Sequence, residues 1–250
     1  MQLNNKIAII TGAGQGFGEG IARAYFAQGA KLVLADLNGN SVARVAASMG
    51  GCAIPIQGDV SKAAHVQAMV DAAVRHFGGL DIVVNNAGTT HRNQPMLDVD
   101  EATFDRIYDV NVKSIYLMAK AAVPVLRAQG RGGSIVNISS TAGIRPRPGL
   151  VWYNGTKGAV NIITNCMATE LAPDNIRVNA VCPVIGATPL MTEFMGGPDT
   201  PELRAKFTAS IPLGRMSTPA DIANACVWLA QDESSFITGV LLPVDGGRCA

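Results

Sequence analysis

Tyr153 and Lys157 stand four positions apart in the stretch VWYNGTKGAV, residues 151–160. On a helix, positions i and i+4 lie one above the other on the same face. A free tyrosine has a pKa near 10, so about one in a thousand is ionised at neutral pH. An ammonium held beside it stabilises the phenolate and loosens the proton. Each unit of lowering needs about 1.4 kcal/mol, and one cation at moderate effective dielectric supplies several kcal/mol. Such a phenol can protonate a forming alkoxide or take the proton of an alcohol. Taken alone, the same spacing also describes two polar residues on an ordinary helix.

A second group of residues points to a phosphate. Gly12, Gly16 and Gly18 lie in TGAGQGFGEG, with Gln15 and Phe17 between them, where an apolar run gives way to a helical pattern. Glycines permit a tight turn and a close backbone approach to a pyrophosphate, and a helix start offers unpaired N–H groups and a positive dipole end. The next apolar run ends at Asp36, eighteen residues after Gly18. In a dinucleotide-binding unit a carboxylate there accepts hydrogen bonds from the adenosine ribose and repels a 2′-phosphate. Gln15, Leu37 and Asn38 nearby are not basic, so NAD(H) is expected ahead of NADP(H). The bland alternatives are a ligand-free glycine turn and an aspartate that caps the following helix.

These residues need elements to position them. Apolar, β-branched runs at 6–11, 31–36, 52–57, 80–86, 133–139, 176–183 and 239–244 read as strands, several without alternation, as strands covered on both faces do. Between them lie helical patterns. The clearest spans 62–77, with Val66, Met69, Val70, Ala73, Val74 and Phe77 on one face, Ser61 as its expected N-cap and Gly78-Gly79 as its stop. Longer helices are expected over 101–129 and 152–171. Strand–helix alternation implies one doubly wound parallel sheet with right-handed crossovers and helices on both faces. No linker and no repeat divides residues 1–250, whereas 184–216, rich in Pro, Gly and Met, reads as an insertion that can close over a site.

Bulk composition removes other classes. Of the 250 residues, 48% are hydrophobic and 16% charged, and the formal net charge is +1, so a large core is available and nothing attracts nucleic acid or an anionic membrane. Arg145 and Arg147 form a cluster too short for a nucleic-acid patch. The five cysteines (Cys52, Cys166, Cys182, Cys226, Cys249) have no metal-ligand spacing, and most lie in apolar runs, so buried, reduced thiols and no metal are expected. The N-terminus lacks the pattern of a signal peptide, and no apolar run reaches the roughly 18 residues of a membrane span. A cytoplasmic protein is the expectation.

The chain resembles the short-chain dehydrogenase/reductase family over essentially its whole length. The resemblance rests on TGAGQGFG, GDV at 58–60, NNAG at 85–88, Asn111 in DVNVKS, NISS at 137–140, YNGTK at 153–157 and VDGG at 244–247. It implies a single Rossmann-type domain with a seven-stranded sheet in the order 3-2-1-4-5-6-7, and a homotetramer paired through the helices at 101–129 and 152–171. It implies that Asp59 and Val60 line the adenine end and that Asn86, Ala87 and Gly88 lie beside the cofactor. Ser140, rather than the adjacent Ser139, orients the substrate oxygen. Tyr153 is the general acid/base. Lys157 binds the nicotinamide ribose and lowers the tyrosine pKa, and Asn111 holds a water in a proton relay. Pro183 and Thr188 approach the nicotinamide. One stretch departs from the family: CPVIGATPL carries Val184 where Gly is usual. If φ must be positive there, a β-branched residue forces a shift, with Gly186 the residue to absorb it.

The expected reaction is hydride transfer between NAD(H) and a secondary alcohol or ketone, with Tyr153 exchanging the proton. Candidate substrate residues are Thr141, Ile144, Arg145, Thr90, His91, Arg92, Met191, Phe194 and Met195. The apolar members suit a moderately hydrophobic molecule. His91, Arg92 and Arg145 either meet a carboxylate or sulfonate or form a solvated loop face. A 3-oxoacyl-[acyl-carrier-protein] reductase using NADPH shares the motifs, but Gln15 and Asp36 disfavour it. A sugar or polyol dehydrogenase calls for a more polar pocket. A silent NAD-binding scaffold is disfavoured by the intact Ser140, Tyr153 and Lys157 set.

Overall fold

Alternate residues of each central strand face opposite ways, and both faces are apolar. Ala8 and Ile10 of β1 (Ile7–Thr11) pack into one core, Ile7 and Ile9 into another. A strand buried on both faces needs helices on both sides, and the computed structural model, which describes residues 1–250, supplies them. One core joins the sheet to α1 (Gly16–Ala27), α2 (Gly39–Ala47) and α9 (Pro219–Ala230). The other joins it to α3 (Ala63–Phe77), α5 (Ser114–Gln129) and α6 (Val151–Leu171).

The remaining strands are β2 (Lys31–Asp36), β3 (Ala53–Gln57), β4 (Ile82–Asn85), β5 (Gly133–Ile138), β6 (Ile176–Pro183) and β7 (Leu241–Val244). They form one seven-stranded parallel sheet in the order β3-β2-β1-β4-β5-β6-β7. The strand order reverses between β1 and β4, with Ile10 opposite Val84. Crossovers leave to opposite faces there, so the carboxyl ends of β1 and β4 border a crevice.

Three local expectations are corrected. The helix expected over 101–129 is broken: α4 (Glu101–Tyr108) leads into a π-turn at Asp109–Lys113 before α5. The slip turns the buried Asn111 toward Thr89, and a 3.6-residue periodicity carries no sign of it. Ser61 does not cap α3; Lys62 occupies the cap position without a side-chain bond, and the Ser61 N–H donates to Asp59 Oδ1 at 2.8 Å. Gly78 does end α3, at φ 85°. Only Cys182 and Cys226 are buried; Cys52 and Cys166 are exposed, Cys249 is half-buried, and all five are unpaired. Between β6 and α9, residues 184–216 carry two short helices, α7 (Met191–Met195) and α8 (Pro201–Thr208).

Candidate active site

At the crevice opens a cleft of about 810 Å³, walled by the glycine turn, the ends of β2, β4 and β5, the start of α6 and the 184–190 segment. That volume suits a dinucleotide with a small substrate. Its first half is made of backbone. Gly12 and Gly16 adopt φ +64° and +57°, left-handed values that L side chains rarely take. Gly18 has no such φ; a Cβ there would lie 2.0 Å from the Gly12 carbonyl oxygen. Gln15 stands at the start of α1 without a side-chain cap, so the first amide N–H groups have no side-chain acceptor. Gln15, Gly16, Phe17 and Gly18 line the cleft. Thr188 approaches from across it: its Cγ2 would be 3.5 Å from a Cβ on Gly16.

Asp36 is held rather than left to capping. Its Oδ2 accepts the Gly14 N–H and its Oδ1 the Asn38 N–H, each at 2.9 Å. The cap of α2 is Asn38, which accepts the Ser41 N–H. Asp36 and Leu37 line the cleft, as do Asp59 and Val60. Burial raises the Asp59 carboxyl, but hydrogen bonds from Ser61, together with Lys62 and His65 nearby, outweigh it and leave the group below the usual range. Asn86 bolts β4 to the turn, its Nδ2 donating to the Thr11 and Gly12 carbonyls at 2.8 and 3.1 Å. Sequence reading missed one cation here. Arg44 of α2 donates to the Gly14 carbonyl at 3.0 Å and to Glu19 Oε2 at 2.8 Å. No spacing rule joins position 44 to position 14; only the docking of α2 on the turn does.

The second half is made of side chains. Ser140, Tyr153 and Lys157 all line the cleft. The two serines separate by their partners. Ser139 donates to Asn161 Oδ1 at 2.6 Å and is turned into the protein, whereas Ser140 is half-buried, accepts the Ala142 N–H at 3.1 Å and faces Tyr153. Burial pushes the Tyr153 phenol up to about 12, and the Ser140 hydroxyl opposes this by hydrogen-bonding the ionised form. This runs against the lowering expected from Lys157. The ammonium lies 5.8 Å from the tyrosine ring centroid and donates to the Ile138 carbonyl at 2.9 Å. Burial pushes Lys157 itself down to about 8.

Asn111 sits beside this group: a Cβ on Gly88 would lie 3.4 Å from its Oδ1 and 3.7 Å from Lys157 Nζ. Its side chain is already engaged. Oδ1 accepts the Thr89 N–H at 2.8 Å, and Nδ2 donates to the Thr89 carbonyl at 2.8 Å and to Thr156 Oγ1 at 3.0 Å. Val184 is buried and has no positive φ, so no shift through Gly186 is needed. Gly186 serves packing instead, since a Cβ there would meet the Phe17 ring at 2.4 Å.

Of the expected substrate residues, Thr141 and Phe194 line the cleft. The Phe194 ring meets Tyr153 edge-on at 5.1 Å. Met191, Met195 and Thr90 are buried outside the lining, and Ile144 is exposed outside it. His91 is neither a solvated loop residue nor a cleft residue: it is buried, its ring Nδ1 2.8 Å from the Arg92 carbonyl. Arg92 donates to the Gly196 carbonyl and Arg145 to the Arg248 carbonyl, both outside the lining. Leu150, Ile185, Leu190, Asn154 and Arg147 take those places. Arg147 and Leu150 were within reach of the sequence, because the loop between Ser140 and Tyr153 must return to the same cleft.

The family model described as enoyl-(acyl carrier protein) reductase matches residues 12–248. The chain belongs to the short-chain dehydrogenase/reductase family. It is 51% identical to 4-formylbenzenesulfonate dehydrogenase of Comamonas testosteroni, over 99% of both chains. It is 37% identical to meso-2,3-butanediol dehydrogenase of Serratia marcescens, over 100% of this chain and 97% of that one. A crystal structure described as 3-ketoacyl-(acyl-carrier-protein) reductase from Brucella melitensis complexed with NADH superposes with a TM-score of 0.94 at 46% identity, covering 99% and 100% of the two chains. As a family member the protein is an oxidoreductase that moves hydride between a nicotinamide cofactor and a CH–OH/C=O pair. None of its helices is long and apolar enough to cross a membrane.

Proposed function

We propose that the enzyme interconverts a secondary alcohol and its ketone with NAD(H), on a substrate whose body is largely apolar. The observation that carries this reading is the meeting of Ser140, Tyr153 and Lys157 in one cleft with the left-handed glycines and Asp36. The residues suit a dinucleotide: Gly12, Gly16 and Gly18 with the start of α1 hold the pyrophosphate, Asp36 the adenosine ribose, and Lys157 the nicotinamide ribose. Bound there, the nicotinamide supplies the hydride acceptor for oxidation and the donor for reduction.

Ser140 and Tyr153 bind the substrate oxygen. In oxidation the Tyr153 phenolate takes the hydroxyl proton as the carbinol hydride leaves, and in reduction it returns the proton to the oxygen. A buried phenol pushed up to about 12 is a poor acid or base at neutral pH. Lys157 therefore has to carry its charge toward the phenolate when the site is assembled, with Asn111 and its fixed Thr89 contacts holding the water that relays the proton. Leu150, Ile185, Leu190 and Phe194 make the wall against the substrate body, and residues 184–216 act as the lid.

Asp36 favours NAD(H), and Arg44, the cation nearest the turn, is bonded to Glu19. The superposed structure described as a ketoacyl reductase is the observation on the side of an acyl-carrier reductase; a preference for NADPH and turnover of acyl thioesters establishes that reading instead. The exposed Tyr116 on α5 and Ile162 on α6 support a homotetramer, which light scattering tests, and a cytoplasmic setting completes the reading. The decisive experiment screens secondary alcohols with NAD⁺ and follows NADH absorbance. Turnover is expected with apolar alcohols and none with NADP⁺ at equal concentration; no turnover with any alcohol or ketone overturns the reading.

A further inference from the structure

The cleft is lined by three cations that differ in what holds them. Lys157 donates to the Ile138 carbonyl, and Arg106 donates to Thr89 Oγ1 at 3.0 Å. The Arg147 guanidinium makes no hydrogen bond and no ion pair with any protein group. It lies over the Phe207 ring of α8, 5.0 Å from the centroid. A cation–π contact of this kind uses none of the guanidinium N–H groups as hydrogen-bond donors to an acceptor. Its main chain is fixed, because the Arg147 carbonyl accepts from Asn154 Nδ2 at 2.8 Å, one residue beyond Tyr153. The donors are therefore held in the wall of the cleft and lack a partner.

A second arginine stands by. The Arg248 Nε is buried without an acceptor, and the Arg248 carbonyl is bound by Arg145 Nη1 at 2.7 Å. Burial, and then the like charge of Arg248, hold Arg147 below the usual arginine range. A guanidinium in the cleft wall with no hydrogen-bond acceptor and a like charge in range is an arrangement that an anion relieves. The carboxylates at hand do not pair with this guanidinium. Asp245 accepts the Gly247 and Cys249 amides and Asp109 pairs with Lys113; Asp105 lines the same cleft from α4 but makes no ion pair with Arg147.

We propose that Arg147, supported by Arg248, is the anchor for a carboxylate or sulfonate carried by the substrate, and so decides which alcohols this enzyme takes. The proposal rests on the alcohol–ketone reading above. It replaces Arg145, Arg92 and His91 as the anion-binding residues with one that faces the cleft. A relative half identical in sequence bears a sulfonate in the name of its substrate, in keeping with a planar, bidentate donor at this place.

The test compares four alcohols of one shape: 4-(1-hydroxyethyl)benzenesulfonate, 4-(1-hydroxyethyl)benzoate, 1-phenylethanol and its 4-methyl derivative. In Arg147→Met the KM of the two anions is expected to rise on the order of 10- to 100-fold. Their kcat, and both constants for the neutral pair, stay within about threefold. The two anionic arms separate sulfonate from carboxylate binding. Phe207→Leu serves as control: if Arg147 only latches the lid through the ring, both variants weaken anions and neutrals alike, and that result overturns the proposal. So does wild-type enzyme with no preference for the anions.

A binding experiment keeps the proposal apart from the reaction itself. Toluene-4-sulfonate and 4-methylbenzyl alcohol are titrated into the NADH-loaded enzyme and followed by cofactor fluorescence. Selective loss of sulfonate binding in Arg147→Met supports the anchor even if no alcohol in the panel is oxidised. Equal binding in wild type and variant overturns it.

Discussion

The two halves of the cleft are built from different materials. Around Gly12–Gly18 and Asp36, backbone and one carboxylate make the walls, and Asp36 and Asn86 are tied to main-chain groups of the turn and its neighbours. Around Tyr153 and residues 184–190, side chains from separate segments converge, and the Arg147 guanidinium there is held by the Phe207 ring rather than by a hydrogen bond. A backbone cradle serves one ligand and tolerates little change. A side-chain wall can be rewritten residue by residue without disturbing the fold. The first half suits a common cofactor, the second a particular substrate.

Variants that strike one half and spare the other break or sharpen this contrast. The largest effect is expected from Tyr153→Phe: kcat falls by at least about 10³-fold, as loss of a general acid/base group does, while the NADH dissociation constant moves by less than about threefold in fluorescence titration. Full activity removes the tyrosine from the chemistry. Next, Gly18→Ala puts a methyl 2.0 Å from the Gly12 carbonyl. It is expected to weaken NADH binding by well over about tenfold and to cost about 1–3 kcal/mol in stability, read by titration and thermal melting.

Ser140→Ala is expected to lower kcat by about 10²-fold, the scale for losing one hydrogen bond to a developing oxyanion. Ser139→Ala instead breaks the bond to Asn161 and lowers stability by about 1 kcal/mol with little change in kcat. The reverse pattern exchanges the roles of the two serines. The pH profile tests Lys157. Burial, and to a smaller extent Cys182, hold the Tyr153 phenol up to about 12 against the Ser140 hydrogen bond. If Lys157 turns its charge to the phenolate in the assembled site, as proposed, Lys157→Met should leave the phenol harder to ionise and move the half-maximal pH of kcat/KM for alcohol oxidation upward by ~1 unit or more. An unmoved profile assigns Lys157 to ribose binding alone. The smallest effect is expected from Phe194→Ala, which removes the ring beside Tyr153: KM rises several-fold while NADH affinity and melting temperature stay near wild type.

Much of the cofactor half was legible because it depends on local rules. A left-handed turn demands glycine, a doubly buried strand demands an unbroken apolar run, and Gly78 ends a helix by its own conformation. The π-turn at Asp109–Lys113 was invisible because a one-residue slip leaves the hydrophobic pattern intact, yet it sets Asn111 against Thr89. The lowered tyrosine pKa expected of an i, i+4 pair also fell short, because spacing says nothing of burial, and burial dominates. On the substrate side Arg145 and Arg147 read alike in the chain. One bonds the C-terminal tail and the other faces the cleft, a choice made by how the loop packs on α8 and not by the residue type.

By itself, the sequence determined the order of strands and helices, the glycine turn with its acidic partner, and the tyrosine–lysine pair, since each follows from conformational limits or periodicities within a few residues. Tertiary structure alone decided which of two adjacent serines faces Tyr153 rather than Asn161, that Arg44 meets Glu19 beneath the turn, and that Arg147 stands in the cleft wall against Phe207. Those outcomes depend on segments far apart in the chain meeting in space, where packing and desolvation choose the partners.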